Sequence, residues 1–414
     1  MSIEVVPFAE HLTPQWEEFV WSANNGTLFH TRRFLSYHPA DRFVDASLLF
    51  YKKGRLLAVM PAVAWPEQGG RVLISHRGAS YGGFVVRDTL SIEEAFALVH
   101  AFVDYGRRQG YAALDVTPPP QIYLRRPSNY IDFALIKNGF IYRKREISSV
   151  IPLDFSTDEI LSTFSEMSRR AVRRGKKLGV TVRETEAPDD YTRFYDILKK
   201  NLRLRHGVNP THTLPELMRL KELYPERIKL FAAFLPDGTM VAGVVMFVCN
   251  PRVVLAFYIS HDDDYQQYRG VNCLFHDIVD WGIRSGYGFL DFGIFTVNED
   301  PNWGLARFKE SGGAENPDPK DPKWIEWRRD QVTELLRKTR EAVRAARPGT
   351  LVSAAAITYG TPAESAEAFV KTSTPGAAAL CDWLRWGREG IVDFIALMNY
   401  KAAATRANEF EGWT

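Results

Sequence analysis

The sequence contains one short pattern twice, Gly110-Tyr-Ala-Ala-Leu-Asp115 and Gly286-Tyr-Gly-Phe-Leu-Asp291. In each copy a helical pattern ends at the glycine and an apolar run follows the tyrosine, which is typical of a helix that stops at a glycine and leads into a strand. Working outward, helices and short apolar strands alternate on both sides of each copy. The sequence therefore predicts a mixed α/β fold with α+β mixed sheets, in which similar units occupy residues 1–153 and 154–316 and a third segment occupies residues 317–414.

The composition is that of a folded globular chain. Of the 414 residues, 45% are hydrophobic and 25% are charged, which excludes a disordered or collagen-like protein. Lysine and arginine number 52 and aspartate and glutamate number 50, so the net charge is only +2. A protein whose whole surface binds polyanions is therefore excluded, any basic site must be local, and we expect no DNA partner.

The cysteines and the N-terminus indicate a cellular compartment. The three cysteines, Cys249, Cys273 and Cys381, have no metal-ligand spacing, so we expect no structural zinc or other metal. A small, odd number of cysteines suits a reducing compartment, and the N-terminus has no signal-peptide pattern. The longest apolar runs reach about half of the ~20 residues that a membrane-spanning helix needs. We therefore expect a cytoplasmic protein.

Two local signals define elements of the second unit. Ser156-Thr-Asp-Glu159 has the spacing of a capping box and predicts one helix from Thr157 to Gly179. Asp237-Gly238, between the apolar runs 229–234 and 240–249, predicts a β-hairpin. The apolar face that helical spacing predicts for the first of these elements consists of Ile160, Phe164, Met167 and Ala171.

Several ordered segments resemble a known family. They are Gly26-Thr-Leu-Phe-His30, Ser75-His-Arg-Gly-Ala-Ser-Tyr-Gly-Gly83, Ser168-Arg-Arg-Ala-Val-Arg-Arg174, Arg205-His-Gly207, Val241-Ala-Gly243, Tyr268-Arg-Gly-Val-Asn272, Asp291-Phe-Gly293, Gly304-Leu-Ala-Arg-Phe-Lys309 and Gly312-Gly313. Residues from about 14 to 316 resemble the FemAB-related branch of the GNAT acyltransferases, and most closely its CelD-type members. The resemblance implies two tandem GNAT-like domains.

The same resemblance implies the activity and its substrates. We expect an N-acyltransferase that moves an acyl or aminoacyl group to an amine of a cell-envelope or exopolysaccharide precursor. The implied donor is acyl-CoA or aminoacyl-tRNA, and the implied acceptor is a small-molecule, lipid-linked or nucleotide-linked glycan. Contact with an anionic membrane surface is a further possibility, whereas tRNA is not the favoured partner. The alternative is a non-catalytic protein with degenerate GNAT folds that binds a phospho-glycan or nucleotide sugar.

The sequence departs from the family pattern in two places. The loop that binds the CoA pyrophosphate in ordinary GNAT enzymes has a second glycine, whereas Gln266-Gln-Tyr-Arg-Gly-Val-Asn272 has one. The long coiled-coil arm of some aminoacyl-tRNA-using relatives is missing, because Gly179 leads directly into a strand. The first departure weakens the CoA interpretation and the second weakens the tRNA interpretation.

A group of cations gathers on the helix that follows Thr157. Helical spacing places them opposite the apolar face, where they would bind a phosphate-bearing partner. The alternative is a solvated outer face near a helix C-terminus, where the helix dipole favours cations. The predicted anion-binding residues are Arg169, Arg170, Arg173 and Arg174.

The first unit supplies a predicted substrate loop. Ser75–Gly83 contains three glycines around Arg77 and Tyr81, so its backbone can approach a ligand and present amide donors beside a guanidinium. The alternative is a connection between strands that needs positive φ angles. By resemblance, Gly78 and His30 join Arg77 and Tyr81 as substrate-binding residues.

The second unit supplies the predicted chemistry. His206, before Gly207, has a pKa range suited to accepting an amine proton, and the alternative is an ordinary histidine before a helix cap. Tyr258 and Tyr268 are candidates for protonating a leaving group, or packing residues. Lys309 is expected to fix a phosphate or steady an oxyanion, or else to be solvated. The remaining candidates of this unit are Asp291, which is catalytic or a cap, and the substrate-binding Arg205, Asn272 and Arg307.

The C-terminal segment resembles a different family. Residues from about 324 to 400 look like a fragment of a glycoside-hydrolase-like (β/α) barrel, with a long helix from Trp324 to Arg347 and buried strands at 351–357 and 391–400. A complete barrel needs ~250 residues, and no pair of catalytic carboxylates can be placed here. A glycoside-hydrolase-related activity through this segment is a second alternative, and it would need a partner chain that completes the barrel.

Overall fold

The computed structural model describes residues 3–313, 322–358, 363–373, 375–376 and 379–398. Within these ranges the side chains at 205–206, 322–325, 327–328, 331 and 371–372 are not described. The chain divides into two compact units, Met1–Glu315 and Asn316–Thr414. None of the described helices combines the length and the apolar character needed to cross a membrane.

The first half of the larger unit consists of two four-stranded sheets, in the orders β1-β3-β4-β7 and β2-β5-β6-β8, with β6 and β8 parallel. Its helices are α1 (Thr13–Ser22), α2 (Arg32–Leu35), α3 (Ile92–Arg108) and α4 (Tyr130–Lys137). Its strands are β1 (Glu4–Pro7), β2 (Val44–Asp45), β3 (Leu48–Lys52), β4 (Arg55–Met60), β5 (Val63–Glu67), β6 (Gly70–Ser75), β7 (Val85–Val86) and β8 (Ala113–Val116).

The second half is built on one six-stranded sheet, in the order β10-β11-β12-β13-β14-β9. Its strands are β9 (Ser148–Pro152), β10 (Thr181–Thr185), β11 (Ile228–Phe234), β12 (Met240–Val248), β13 (Val253–His261) and β14 (Phe289–Ile294), followed by the small hairpin β15 (Thr296–Val297) and β16 (Asp300–Pro301). Its helices are α5 (Ile160–Thr163), α6 (Glu166–Lys177), α7 (Pro188–His206), α8 (Leu214–Leu223), α9 (Gly270–Arg284) and α10 (Trp303–Ser311).

The repeated glycine-tyrosine pattern has the same structure in both halves. Gly110 and Gly286 have φ angles of +70° and +76° and end α3 and α9. The strands that follow, β8 and β14, each pair in parallel with a strand earlier in the chain, β6 and β13. The predicted mixed α/β fold of two similar halves is confirmed.

The predicted helix from Thr157 to Gly179 is broken in two. Phe164 has an extended conformation, and the Ser165 hydroxyl accepts a hydrogen bond from the N–H of Ser168 and begins α6. The interruption changes the phase of the helix, so α6 buries Ser168, Val172 and Gly175. Met167, predicted on the apolar face, is 76% exposed, because its side chain follows the new phase.

Two buried cores lie on the two faces of the six-stranded sheet. On one face α9 covers the strands and α6 packs on α9. On the other face α7 and α8 share a core with residues of the first half, among them Phe29 and Tyr37 beside Tyr191 and Phe247. The contact between the halves is thus a continuous apolar core, and β9, which precedes the predicted boundary at residue 153, pairs with β14 in the second sheet.

The C-terminal unit contains two parallel strands and three helices in its described part. The elements are α11 (Pro322–Ala346), β17 (Ser353–Ile357), α12 (Ala366–Thr372), α13 (Trp383–Arg388) and β18 (Phe394–Met398). Ala354, Trp386, Ile391 and Val392 form its core. The strands were predicted to be buried, but alternate residues of β17 and most of β18 are partly or fully exposed; residues 399–400 lie outside the described part.

Candidate active site

Asp291 is the last residue of β14 that pairs with β13, and it is fully buried at the point where the two strands diverge. Tyr123 donates a hydrogen bond of 2.8 Å to its Oδ2, and Tyr81 donates to the same oxygen over 3.4 Å. Ser148 Oγ and the N–H of Gly293 donate to Oδ1. Burial, then the adjacent carboxylate, raises the pKa of both tyrosines, so they remain donors. The predicted residues Tyr81 and Asp291 thus meet, in a network that joins the two halves.

Lys309 faces this network and not the solvent. It is 2% exposed, and its Nζ donates to three carbonyl oxygens, those of Phe292 at 2.8 Å, Gly293 at 2.6 Å and Ile294 at 2.9 Å. An ammonium group has three N–H bonds, so all of them are used within the chain. In this structure Lys309 holds the end of β14, and its predicted role in fixing a phosphate or an oxyanion remains a prediction. Burial lowers the pKa of Lys309 to about 8, and Asp291 opposes that change.

Tyr258 on β13 belongs to a row of three hydrogen-bonded side chains across the contact between the halves. Its Oη accepts from the backbone N–H of His212 at 3.0 Å and lies 2.9 Å from His212 Nδ1. His212 Nε2 lies 2.9 Å from the Oη of Tyr37, which the first half contributes. Burial lowers the pKa of His212 to about 4 and raises that of Tyr258 to about 12, so the row is uncharged at neutral pH. A neutral imidazole between two phenols can accept a proton at one nitrogen and release one at the other.

The predicted loop Ser75–Gly83 reaches the same row through His38. The His38 ring packs on Tyr37 with centroids 3.9 Å apart, and its Nε2 lies 2.8 Å from the carbonyl oxygen of Gly78. A Cβ on Gly78 would lie 2.2 Å from that nitrogen, so the approach requires glycine. Arg77 is exposed beside it, with its guanidinium 4.2 Å from the centre of the Trp65 ring. Arg77 thus packs on an aromatic ring of the first half and keeps its guanidinium exposed to solvent.

His30 contacts the same loop, Ser75–Gly83, from the buried side. Its ring is fully buried, its Nδ1 accepts from the N–H of Thr27 at 3.1 Å, and its Nε2 lies 2.9 Å from the carbonyl oxygen of Gly82. Because Nδ1 is an acceptor, Nε2 carries the proton and donates to Gly82. Both nitrogens are used within the chain, so His30 positions the loop in this structure, and its predicted role in substrate binding remains a prediction. Burial lowers the pKa of His30 to about 4.

Tyr268, Asn272 and Arg307 are not joined to Tyr258 by any contact among the described residues. The ring of Tyr268 packs on the α9 side of the sheet, opposite the core that contains Tyr258. Asn272 is half-buried in the first turn of α9, and Arg307 is exposed on α10. Their substrate or catalytic roles remain predictions.

Arg205 and His206 are the last residues of α7. Gly207 follows with a φ of +65° and ends the helix, as the sequence predicts. The side chains of Arg205 and His206 lie outside the described part of the structure, so their predicted roles remain predictions.

The predicted anion-binding arginines lie on α6. Arg169 is half-buried, and Arg170, Arg173 and Arg174 are exposed. Arg170 forms an ion pair with Glu166. Arg169, Arg170 and Arg173 line a surface hollow of about 470 Å³. The geometry places the cations on one surface, and anion binding there remains a prediction.

Four residues of these hydrogen-bond networks were not among the site residues predicted from the sequence: Tyr37, His212, Tyr123 and Ser148. The capping-box spacing of Thr213 to Glu216, confirmed by reciprocal hydrogen bonds, was a local signal that His212 precedes a helix. The partners, however, are far apart in sequence: Tyr37 and His212 are separated by 175 residues, and Tyr123 and Asp291 by 168. Among the described residues, no set of three histidine, cysteine or carboxylate side chains is placed to hold a metal ion.

In the C-terminal unit, the carboxylate next to β18 is an ion-pair residue. Asp393 accepts hydrogen bonds of 2.8 Å from both Arg340 and Arg344 and one of 2.9 Å from the N–H of Val352. The hydrogen bond from Arg340 leads the causes that lower its pKa to about 2. Asp393 thus links α11 to the strands of this unit. The general acid of a glycosidase needs a raised pKa, so Asp393, whose pKa is lowered, is unsuited to that role.

Two ranges of the sequence match known protein families. Residues 162–310 match the family described as Acetyltransferase (GNAT) domain, and residues 297–412 match the family described as Glycosyl hydrolase-like 10. No curated protein matches the sequence significantly. Among solved structures, FemX has 15% identity and a TM-score of 0.59, with 75% of this chain and 94% of FemX covered.

Two further solved structures resemble the chain more weakly. The C-terminal domain of a putative lysylphosphatidylglycerol synthetase from Agrobacterium fabrum has 12% identity and a TM-score of 0.46, covering 74% of this chain and 88% of that one. A tandem GNAT protein from the clavulanic acid biosynthesis pathway has 12% identity and a TM-score of 0.42, covering 75% and 94%. The first three quarters of the chain therefore have a FemX-like fold that includes a match to the GNAT acetyltransferase domain, and the C-terminal part matches the glycosyl hydrolase-like 10 family.

Proposed function

We propose that this chain is an N-acyltransferase that moves an acyl or aminoacyl group to an amine of a cell-envelope or exopolysaccharide precursor in the cytoplasm. The observation that carries the proposal is the uncharged row Tyr37–His212–Tyr258 between the halves of a FemX-like fold. The loop that contacts the row through His38 also carries Arg77, whose exposed guanidinium suits the phosphate of a nucleotide-linked or lipid-linked acceptor.

The chemistry needs few groups. The uncharged amine attacks the carbonyl carbon of a thioester or ester, a C–N bond forms, and the C–S or C–O bond breaks. Tyr258, protonated at neutral pH, donates its proton to the departing sulfur or oxygen while the backbone N–H of His212 holds its oxygen, and a proton from water then restores the phenol, which balances the proton that the amine releases. The proton that the amine loses passes to water or to His206, the sequence-predicted acceptor.

The donor enters from the opposite side of the strands in this proposal. β13 and β14 pair only from Val253/Phe289 to Leu255/Asp291, and β13 then continues to His261 away from its partner. α9 begins beyond this gap, with Arg269 at a φ of +57° and Gly270 packed against Val241 of β12. The gap and the start of α9 would accommodate the acyl-CoA or the acyl end of an aminoacyl-tRNA.

The test is transfer of label from acetyl-CoA or aminoacyl-tRNA to amino-sugar acceptors. Replacing Tyr258 by Phe should lower kcat about 100-fold with little change in KM, which is the low end of the effect of a general acid. Tyr142→Phe is the matched control, because this exposed tyrosine donates to Asp132 and packs against Arg145, and none of these residues belongs to the row. Equal activity of wild type and Tyr258→Phe would refute the assigned role.

A non-catalytic binding protein is the second candidate. The observation in its favour is that Lys309 and Asp291 are saturated by contacts within the chain and have no free capacity for chemistry. Tight binding of a phosphorylated amino-sugar acceptor without transfer from either donor would establish the binding protein and refute the proposed enzymatic activity.

A further inference from the structure

The outer face of α6 carries cations that the fold does not use. Within the described part of the chain, Arg169, Arg173, Arg174 and Lys177 form no hydrogen bond or ion pair through their side chains. By contrast, Lys176 on the same helix lies 3.2 Å from the carboxylate of Asp277 on α9. A surface that concentrates unpaired cations attracts anions over roughly a Debye length, about 8 Å at physiological salt.

Two exposed apolar side chains lie on the same face. Met167 is 76% exposed and Leu178 is 41% exposed. Positions 167, 174 and 178 recur at helical spacing, so Met167, Arg174 and Leu178 form one stripe along the helix. The two apolar side chains on either side of Arg174 are exposed to water, which is unfavourable, so covering them with another apolar surface would be favourable.

The helix cannot turn this face inward. Ser168, Val172 and Gly175 point to the core, and a Cβ on Gly175 would lie 2.5 Å from the Sγ of Cys273 on α9. The α6 and α9 side of the sheet is opposite the side on which Tyr258 lies. The basic face therefore lies on the other side of the sheet from the row Tyr37–His212–Tyr258 and on the same side as the start of α9, where the donor is proposed to bind.

We propose that this face docks the protein on a bilayer that contains anionic lipids. The guanidinium groups bind lipid phosphates, and Met167 and Leu178 enter the boundary between headgroups and acyl chains. The hollow of about 470 Å³ beside Arg169 and Arg173 has room for a phosphate headgroup. RNA is less suited, because single-stranded nucleic acids stack on aromatic side chains and α6 has none. The proposal does not depend on acyl transfer.

The experiment is co-sedimentation of the full chain with vesicles of phosphatidylcholine alone or mixed with phosphatidylglycerol. Binding should occur only with phosphatidylglycerol and weaken as salt increases. The double variant Arg173→Gln/Arg174→Gln should lower the partition coefficient about 30-fold, from about 1 kcal/mol per cation. Met167→Ser should lower it about fivefold and leave the salt dependence unchanged.

The matched control is Arg107→Gln/Arg108→Gln, which removes the same charge from an exposed helix end in the first half. It should bind vesicles like wild type, and circular dichroism should show all variants folded. Equal binding to neutral vesicles, an equal loss in the control, or binding of RNA without binding of vesicles would each overturn the proposal. The variant Tyr258→Phe should bind vesicles like wild type whether or not it transfers an acyl group, so the two proposals fail in different measurements.

Discussion

The hydrogen bond between Tyr123 and Asp291 gives a sharp test of how the halves are held together. Both side chains are fully buried, and the phenol comes from the first half and the carboxylate from the second. Replacing Tyr123 by Phe keeps the ring and removes only the donor. A hydrogen bond to a charged group contributes about 1.5–3 kcal/mol. Because Tyr81, Ser148 and the N–H of Gly293 still bond to the carboxylate, we expect a loss near the lower limit, about 2 kcal/mol.

Tyr81→Phe is the matched control for this substitution. It removes a phenol from the same oxygen of the same carboxylate, but its donor distance is 3.4 Å and not 2.8 Å. Hydrogen bonds weaken with distance, so the expected loss is under about 1 kcal/mol. The comparison therefore measures the dependence on geometry with the chemistry held constant.

The assay is urea denaturation of the full chain, with the m-value compared between variants to show that the same surface unfolds. A cycle with Asp291→Asn should give a coupling of about 1–2 kcal/mol for Tyr123, because both members of the pair are then removed. If Tyr81→Phe costs as much as Tyr123→Phe, or if the coupling is zero, the two tyrosines do not act through this carboxylate and the reasoning fails.

Three further predictions concern stability. Burial lowers the pKa of Lys309 from 10.5 to about 8, so the unfolded chain binds this proton more tightly than the folded chain. The free energy of unfolding should therefore rise between about pH 8 and 10.5. Urea denaturation of Lys309→Met at the same pH values should show no such rise. Burial lowers the pKa of His212 from 6.5 to about 4, so stability should fall as the pH decreases through that range, by up to about 3 kcal/mol, and His212→Gln should reduce the slope of a pH series. Gly175→Ala would place a Cβ 2.5 Å from the Sγ of Cys273 and should cost about 1–3 kcal/mol, measured by the shift of the urea midpoint; an unchanged midpoint would show that α6 is not locked on α9.

Local patterns predicted most of the second half correctly. The hairpin around Asp237-Gly238 has its predicted strands within one residue, and the glycine has a φ of +85°. Gly179 and Gly207 end α6 and α7 with positive φ angles, as expected of helix caps. These features depend on residues a few positions apart, and a single sequence contains all of that information.

The errors arose where a distant partner or a small interruption decides the structure. Lys309 follows a plausible surface pattern, and only the fold shows that its ammonium group turns inward to carbonyl oxygens 15 to 17 residues earlier. Met167 fits the apolar face of a continuous helix, and the break at Phe164 and Ser165 shifts the phase so that it faces solvent. No local periodicity specifies which side chain of one half meets which side chain of the other.

Two of the hydrogen-bond networks that cross the contact between the halves differ in their chemistry. Around Asp291 every donor is used, and the lysine beside it is saturated. In the row Tyr37–His212–Tyr258 every group is neutral at neutral pH and has a proton to exchange. A saturated charged cluster resists rearrangement. A neutral row can pass a proton, and any buried charge that this creates lasts only as long as the transfer. Substitutions around Asp291 should therefore change the free energy of unfolding more than turnover, and Tyr258→Phe should do the reverse, which is the distinction between a site that positions the halves and a site that reacts.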